Sequence, residues 1–405
     1  MDDNNNKIKI NMLSMADSVD GQGVGSAYLE LMKLLNEDGK NDFEIFLNKG
    51  TKYDIIHAHT VEPRNYLKLK FSKNPTVAYV HFLPDTLDGS IKLPKPIFKI
   101  FKKYVISFYK SADYLVVVNP IFKKDIAKAG IKEDKITYIP NFVSKEMFYK
   151  KTDKEIKDIR KKLGIKENKF VVLGAGQIQN RKGVIDFVEV AKKLPKIDFI
   201  WAGGFSFGGI TDGHHDLKKI MENPPKNVRF LGIVPRNEMN DLFNASDLLF
   251  VPSYNELFPM TILEAISTDT PILLRDLELY EDILFKKYLK GSNNDEFSEI
   301  IKLLSKDKKE YQKQVENAKE ISEFYSKEHV YKMWKEFYTE IAKKKKKKKK
   351  KNQSNNYSDF IYIVYLYQQY HQFHLLCLFP LIARIYNYLH NLFYLYNVQA
   401  KYYDY

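Results

Sequence analysis

Residues Asp247 to Asp276 read DLLFVPSYNELFPMTILEAISTDTPILLRD, and this stretch decides the fold class. DLLFVPS is an apolar run of strand length, YNELF a loop, MTILEAIS a helix with Pro259 suited to its first turn, and PILLRD a second apolar run. Neither run alternates polar with apolar residues. Strands of that kind are expected to be covered on both faces, as in a parallel sheet between layers of helix.

The same alternation extends in both directions. Towards the amino terminus the strand candidates are KIKINMLS, FEIFLN, YDIIHAHT, TVAYVHF, YLVVVN and KITYIP, followed by KFVVLGAG, KIDFIWAGG and NVRFLGI. Helical patterns such as GVGSAYLELMKLLNE and GVIDFVEVAKKL lie between them. The pattern starts afresh near Lys169, after the polar stretch KEMFYKKTDKEIKDIRKKLGIKENK. The expectation is two doubly wound α/β domains, residues 1–145 and 146–325, with ligands bound beyond the carboxyl ends of the strands in a cleft between them. SKEHVYKMWKEFYTEIA, Ser326 to Ala342, is an amphipathic helix expected to pack back toward the N-terminal domain.

Length agrees, since 405 residues exceed one ordinary core and suit two domains of about 150 residues each. The formal charge is +14, but Lys343 to Lys351 is an unbroken run of nine lysines and the tail beyond it is neutral, so the body carries +5. That is mildly basic, compatible with an anionic partner and far from a nucleic-acid-binding signature. The only cysteine, Cys377, lies in the tail, so the body has neither a disulfide nor a cysteine metal site. The opening MDDNNNKIKINMLS lacks a secretory leader's pattern, and the body has no apolar run of spanning length. A cytoplasmic location is expected.

Residues 343–405 differ in kind. The tail holds 12 of the 28 tyrosines and no glycine, and polar residues interrupt its apolar stretches. The composition changes abruptly at the lysine run. The expectation is a disordered segment, or out-of-frame translation after a slip in an adenine-rich coding run.

Chemistry concentrates in the opening stretch. Glu256 sits in the loop before a helix and Glu264 in its second turn. A helix start offers free N–H groups and the positive end of a dipole, a ready anion site. Two carboxylates flanking an anion site suit a ligand with a phosphate in the middle and hydroxyls at both ends, such as a nucleotide sugar. Spacing alone leaves the alternative of two surface acids open. GAGQIQNRKG, Gly174 to Gly183, follows a strand and precedes a helix, with Arg181 and Lys182 at the turn. Cations there would grip a diphosphate, unless they are solvated loop charges.

Taken together, GAGQIQNRKGVIDF, NVRFLGIV and VPSYNELFPMTILEAISTDTPIL resemble the retaining glycosyltransferases of family 4, with the Glu-x7-Glu pair as the most specific motif. The resemblance covers Lys7 to Ala342, with IPNFVS, DIIHAHT and a glycine-rich N-terminal loop as further pieces. INMLSMADSVDGQGVGSAYLE, AYVHFLPDT, SFYKSADYLVVVNP and WAGGFSFG are most similar to the bacterial diacylglycerol α-glucosyltransferases that make membrane glycolipids. The resemblance implies a GT-B fold, two Rossmann-like domains facing a central cleft. It implies transfer of glucose from UDP-glucose to diacylglycerol with retention of the α configuration. Alternatives are galactose, another lipid acceptor, or a non-catalytic nucleotide-sugar-binding module. A dehydrogenase lacks its G-x-G-x-x-G fingerprint here.

Residue by residue, the resemblance implies that Glu264 binds the donor ribose and Glu256 positions the transferred sugar near its reacting carbon. Backbone amides of Phe258, Met260 and Thr261 would face the diphosphate. Lys182, with Arg181, would neutralise the departing UDP. His81 would lie near the sugar 6-hydroxyl, and Gly23 and Gly25 would approach the donor phosphate or the acceptor. Family members commonly carry arginine where this chain has Gln177, which assigns the missing cation to Arg181. No cofactor is required; Mg2+ is compatible with the chemistry, but no residue pattern points to it. His57 and His59 share a strand face without a third metal ligand in view, so they read as a cleft-lining pair.

The acceptor is suggested by KLPKPIFKIFKKYVISFYKSA, Lys92 to Ala112. Ile97, Ile100, Phe101, Tyr104, Val105 and Phe108 recur at helical spacing, with Lys95, Lys99, Lys102, Lys103 and Lys110 on the other faces. A basic amphipathic helix with aromatics reads as lying on an anionic membrane surface, unless it is a core helix with a lysine-rich outer face. With the resemblance beside it, the expectation is a peripheral enzyme on the inner membrane face, with Lys95, Lys99, Lys102, Lys103 and Phe101 as contacts.

Overall fold

The computed structural model describes residues 7–14, 23–50, 52–81, 83, 95–205, 214–256 and 258–352, with backbone alone at 23–26, 95, 97 and 346–352. The tail from 353 on, with its expected disorder or altered reading frame, lies outside the described residues, as do Phe82 and the last three residues of AYVHFLPDT and the end of WAGGFSFG.

Two six-stranded sheets, parallel throughout, form the frame. In the first half β1 (Ile8–Leu13), β2 (Phe43–Leu47), β3 (Ile55–Ala58), β4 (Thr76–Val80), β5 (Tyr114–Val117) and β6 (Ile136–Tyr138) pair in the order β2-β1-β3-β4-β5-β6. In the second half β7 (Val171–Ala175), β8 (Asp198–Ala202), β9 (Val228–Phe230), β10 (Leu248–Val251), β11 (Ile272–Arg275) and β12 (Leu289–Gly291) pair as β12-β11-β10-β7-β8-β9. Every residue of β4, β7 and β10 is buried, which is why those runs carry no polar alternation. One strand, β12, was invisible in the sequence. It is three residues long, has Lys290 at its centre and pairs only with β11 at the sheet's edge.

The helices covering the first sheet are α1 (Gly23–Glu37), α2 (Pro63–Phe71), α3 (Lys95–Lys110) and α4 (Ile121–Lys128). Those of the second half are α5 (Asp153–Lys162), α6 (Val184–Lys193), α7 (His214–Glu222), α8 (Arg236–Ala245), α9 (Met260–Ser267), α10 (Leu279–Ile283), α11 (Asn294–Leu304) and α12 (Lys308–Phe324). Between the halves, the connecting chain is strapped to α8: the amides of Tyr149 and Lys151 donate to the side chains of Asn240 and Asn244. The last helix, α13 (Lys327–Asn352), returns to the first sheet. Its Trp334 and Tyr338 are buried there, and Lys335 pairs with Asp42 at 2.8 Å.

Helix α13 corrects one expectation. The lysine run does not break at Lys343, because the helix continues to Asn352. Lysine is a good helix former, and the charge is partly met: Lys345 pairs with Asp54 at 3.0 Å and Lys344 with Glu340 at 2.5 Å. A single apolar cluster runs from the first sheet through Phe148 and Val171 to Phe258, Met260 and Tyr325, so the two halves share a core.

Candidate active site

In the second sheet β7 and β10 are neighbours, with β8 continuing one way and β11 the other. That reversal makes their carboxyl ends a topological switch point, where open α/β sheets bind ligands. The Arg181–Lys182 turn follows β7 and the Glu256 loop follows β10, so two segments far apart in sequence meet there. The amide of Tyr254 donates to Arg181 O at 2.8 Å, and the Arg181 guanidinium donates to Asn255 O at 3.3 Å. Gly183 makes the fit possible. Its φ is +69°, and a Cβ added there would stand 2.3 Å from Pro252 O.

Within this crossing Lys182 Nζ bonds Glu256 Oε1. Burial holds the Lys182 ammonium below its ordinary pKa, with Glu256 pulling it back up and Arg181 pushing it further down. Arg181 Nε is buried without a partner. Gln177 accepts from Gln179 at 2.8 Å. Helix α9 begins at Met260 with Pro259 at its cap position and no side-chain cap, leaving the amides of its first turn, Thr261 among them, for an anion. Phe258 is buried against Tyr325.

Glu264, one turn into α9, is buried. Arg236, the first residue of α8, reaches it at 3.4 Å and also pairs with Glu30 of α1 at 2.9 Å. Burial pushes the Glu264 carboxyl up to about 7, with Arg236 lowering it and Glu30 raising it.

On the first sheet His81 follows β4 and is buried. Its Nε2 lies 3.3 Å from His59 Nδ1, the rings of His59 and His57 are 4.2 Å apart, and His57 Nδ1 meets Tyr338 of α13 at 2.7 Å. Burial drives all three histidines down, His59 to about 3, so neutral imidazoles stand there at pH 7. Among the described residues no group of three or more His, Cys, Asp or Glu side chains is arranged to hold a metal ion. The helical pattern GVGSAYLELMKLLNE forms α1, so Gly23 and Gly25 lie in its first turn and not in the glycine-rich loop that the resemblance suggested.

Helix α3 forms over the expected residues, but its aromatic face is not free. Phe101 and Tyr104 pack against the core, Val105 and Phe108 are buried, and Tyr104 donates to Val61 O at 2.6 Å. Phe101 is therefore a packing residue, because the amphipathic stripe faces the protein's own sheet. Lys99, Lys103 and Lys110 point outward and Lys102 is half-buried; the Lys95 side chain lies outside the described residues. Neighbouring α2 adds exposed Arg64, Lys68, Lys70 and Phe71.

Sequence reasoning missed several residues. Asp186 Oδ2 accepts from the Tyr254 hydroxyl at 2.8 Å and pairs with Arg275 at 3.2 Å, while the Arg275 guanidinium stacks 3.9 Å from the Tyr254 ring centre. This clamp fastens the Glu256 loop to α6. Tyr280, with its hydroxyl buried and unpartnered, lies in the field of Glu256. Glu30 carried a readable signal, a carboxylate spaced with Ala27 and Leu34 on the buried stripe of α1. Arg236 carried none.

Comparison with known proteins adds to this geometry. The family described as "Glycosyltransferase Family 4" matches residues 40–146, and "Glycosyl transferases group 1" matches residues 155–321. The chain is 47% identical over 338 residues to the alpha-galactosylglucosyldiacylglycerol synthase of Streptococcus pneumoniae, across 83% of this chain and 90% of that one. It is 29% identical over 326 residues to the processive diacylglycerol alpha-glucosyltransferase of Acholeplasma laidlawii, across 80% and 95%. Among solved structures, sucrose-phosphate synthase from Thermosynechococcus elongatus superimposes with a TM-score of 0.68 at 14% identity, across 83% of this chain and 99% of that one. Anabaena HepE in complex with UDP-glucose gives 0.64 at 17% identity, across 82% and 100%. At such identities the likeness is one of fold.

Proposed function

We propose, from the premise that this chain belongs to glycosyltransferase family 4 and has the GT-B fold, that it moves a hexose from a UDP-sugar onto a diacylglycerol-based lipid with retention of the α configuration. The observation that carries this reading is the similarity to the streptococcal synthase along nine-tenths of that protein. That relative's name favours galactose, placed on an already glucosylated diacylglycerol, over the glucose expected from sequence. The Acholeplasma relative supports glucose onto diacylglycerol as the second reading.

The chemistry of the site suits a diphosphate leaving group. Departure of UDP builds negative charge, and Lys182 and Arg181 with the start of α9 are the donors available to meet it. Glu256 holds Lys182 in place and, in this reading, also accepts from hydroxyls of the transferred sugar. Its role is to position the sugar; leaving-group departure and acceptor attack occur on one face of the sugar without a protein nucleophile. Glu264 takes the ribose hydroxyls, and the neutral His81 offers a hydrogen bond to the sugar. The outward lysines of α3 draw the enzyme to an anionic inner membrane face, where its acceptor lies. No helix among the described residues is long and apolar enough to cross a membrane.

A Glu256→Ala variant separates an enzyme from a binding module. Hexose transfer should fall by about 10²–10³ while UDP binding survives. Transfer at the wild-type rate by this variant would reject the assignment.

A further inference from the structure

Two buried carboxylates and a partly exposed arginine, drawn from both halves of the molecule, meet beside α9. Glu264 belongs to that helix, Arg236 starts α8, and Glu30 comes from α1 of the first half. Glu30 and Glu264 are only 4% and 6% exposed, so neither is a solvated surface acid. One guanidinium serves both, at 2.9 Å and 3.4 Å, while its flat face lies 5.4 Å from the ring centre of Phe148 in the connecting chain. Arg236 is thus held from three directions, by a helix of each half and by the segment that joins them.

Two carboxylates sharing one cation leave a buried net negative charge. That arrangement costs desolvation energy unless further donors complete it. A vicinal diol presents two O–H donors and fits the need without bringing in charge. We propose that Arg236 and Glu30 are positioning residues for the donor nucleoside. Arg236 orients Glu264 toward the ribose hydroxyls, and Glu30 lets the first half of the chain set how much of Arg236 is available. The proposal rests on the reading that Glu264 binds ribose and adds to it the residues that govern it.

The two partners act on Glu264 in opposite senses, which makes the arrangement testable. The charged groups that act on Glu264 are Arg236 of α8, which favours the carboxylate, and Glu30 of α1, which disfavours it. Helix α12 and β11 also pack on α9 and bring no such group among the described residues. Only the carboxylate accepts from both ribose hydroxyls, so UDP affinity should rise as pH climbs through the titration of Glu264. Loss of Arg236 moves that rise to higher pH, and loss of the Glu30 charge moves it lower.

The experiment is calorimetric titration of the full chain with UDP at intervals between pH 6.5 and 8.5. Arg236→Met should weaken UDP binding about fivefold near pH 7 and recover toward pH 8.5, a displacement of about one pH unit. Arg236→Lys should undo most of it. Glu30→Gln, nearly isosteric and not a threat to folding, should displace the profile the other way and bind UDP more tightly than wild type at pH 6.5. Profiles of Arg236→Met and Glu30→Gln that stay parallel to wild type would overturn the proposal. So would a displacement of both in one direction. Glu264→Ala separates the two levels. If it binds UDP like wild type, the ribose reading falls and this inference with it. If it loses affinity while the other profiles stay parallel, the inference alone falls.

Discussion

The ammonium of Lys182 sits on the carboxylate of Glu256, 74 residues further along the chain, with both side chains largely withdrawn from water. Topology brings them together, since β7 and β10 are adjacent only because the strand order reverses between them.

A broken buried pair should cost more than a deleted one. Lys182→Met leaves the Glu256 carboxylate buried without its cation and should lower stability by about 3 kcal/mol. Adding Glu256→Gln should return much of that loss. Urea denaturation of the two single variants and the double variant measures the coupling; strict additivity would mean the pair is not a unit.

The Asp186–Tyr254–Arg275 clamp should affect rate more than donor affinity. Tyr254→Phe keeps the stack on Arg275 but loses the hydrogen bond to Asp186, which is half-exposed and so worth less than a fully buried one. A threefold to tenfold fall in kcat with little change in donor KM is expected, about 1 kcal/mol. Arg275→Met, which also frees Pro252 O, should do more. A change confined to KM would place the clamp outside the catalytic step.

The buried histidines should make the fold acid-sensitive. His57, His59 and His81 have folded pKa values below their unfolded ones, so the unfolded chain binds protons the folded one refuses. Stability is therefore fully present above about pH 6.5 and lost as pH falls, at up to about 1.4 kcal/mol per pH unit for each histidine. For His59 the loss runs down to about pH 3. Thermal unfolding at pH 7.5, 6.5 and 5.5 should show the slope, and His59→Phe should flatten it. An unchanged slope in that variant would contradict the assignment.

Membrane attraction should depend on the outward lysines of α3 and not on its aromatics. Lys99→Glu with Lys103→Glu should weaken binding to vesicles containing anionic phosphatidylglycerol by about 30-fold or more, at roughly 1 kcal/mol per lysine. Phe101→Leu should leave that affinity unchanged, because Phe101 faces the core. Co-sedimentation decides between them, and equal binding by the lysine variant would remove the membrane role of α3.

Much of this was legible in residue order. Fully buried strands such as TVAYV announce themselves as unbroken apolar runs, and eleven of the twelve strands among the described residues fall on segments expected from sequence. The exception, β12, pairs on one side only and needs little apolar surface. Local patterns also singled out Glu256, Arg181 and Lys182, which lie at strand-to-helix turns, and Glu264, one turn into α9. Arg236, Asp186 and Arg275 were not legible, because their meaning lies in partners from distant elements. The amphipathic stripe of α3 was visible, but periodicity does not say whether a stripe meets a membrane or the protein's own sheet. The lysine run looked like a terminus, yet local charge partners and helix propensity carry α13 through it.

The most direct measurement pairs each donor with each acceptor. The full chain is incubated with labelled UDP-galactose or UDP-glucose in anionic vesicles containing diacylglycerol or glucosyl-diacylglycerol, and the lipids are separated and counted, with Glu256→Ala alongside. The expected result is label in lipid from UDP-galactose with glucosyl-diacylglycerol, lost in the variant. Label from UDP-glucose onto diacylglycerol would favour the second reading. Folded protein that labels no lipid from either donor would contradict the account.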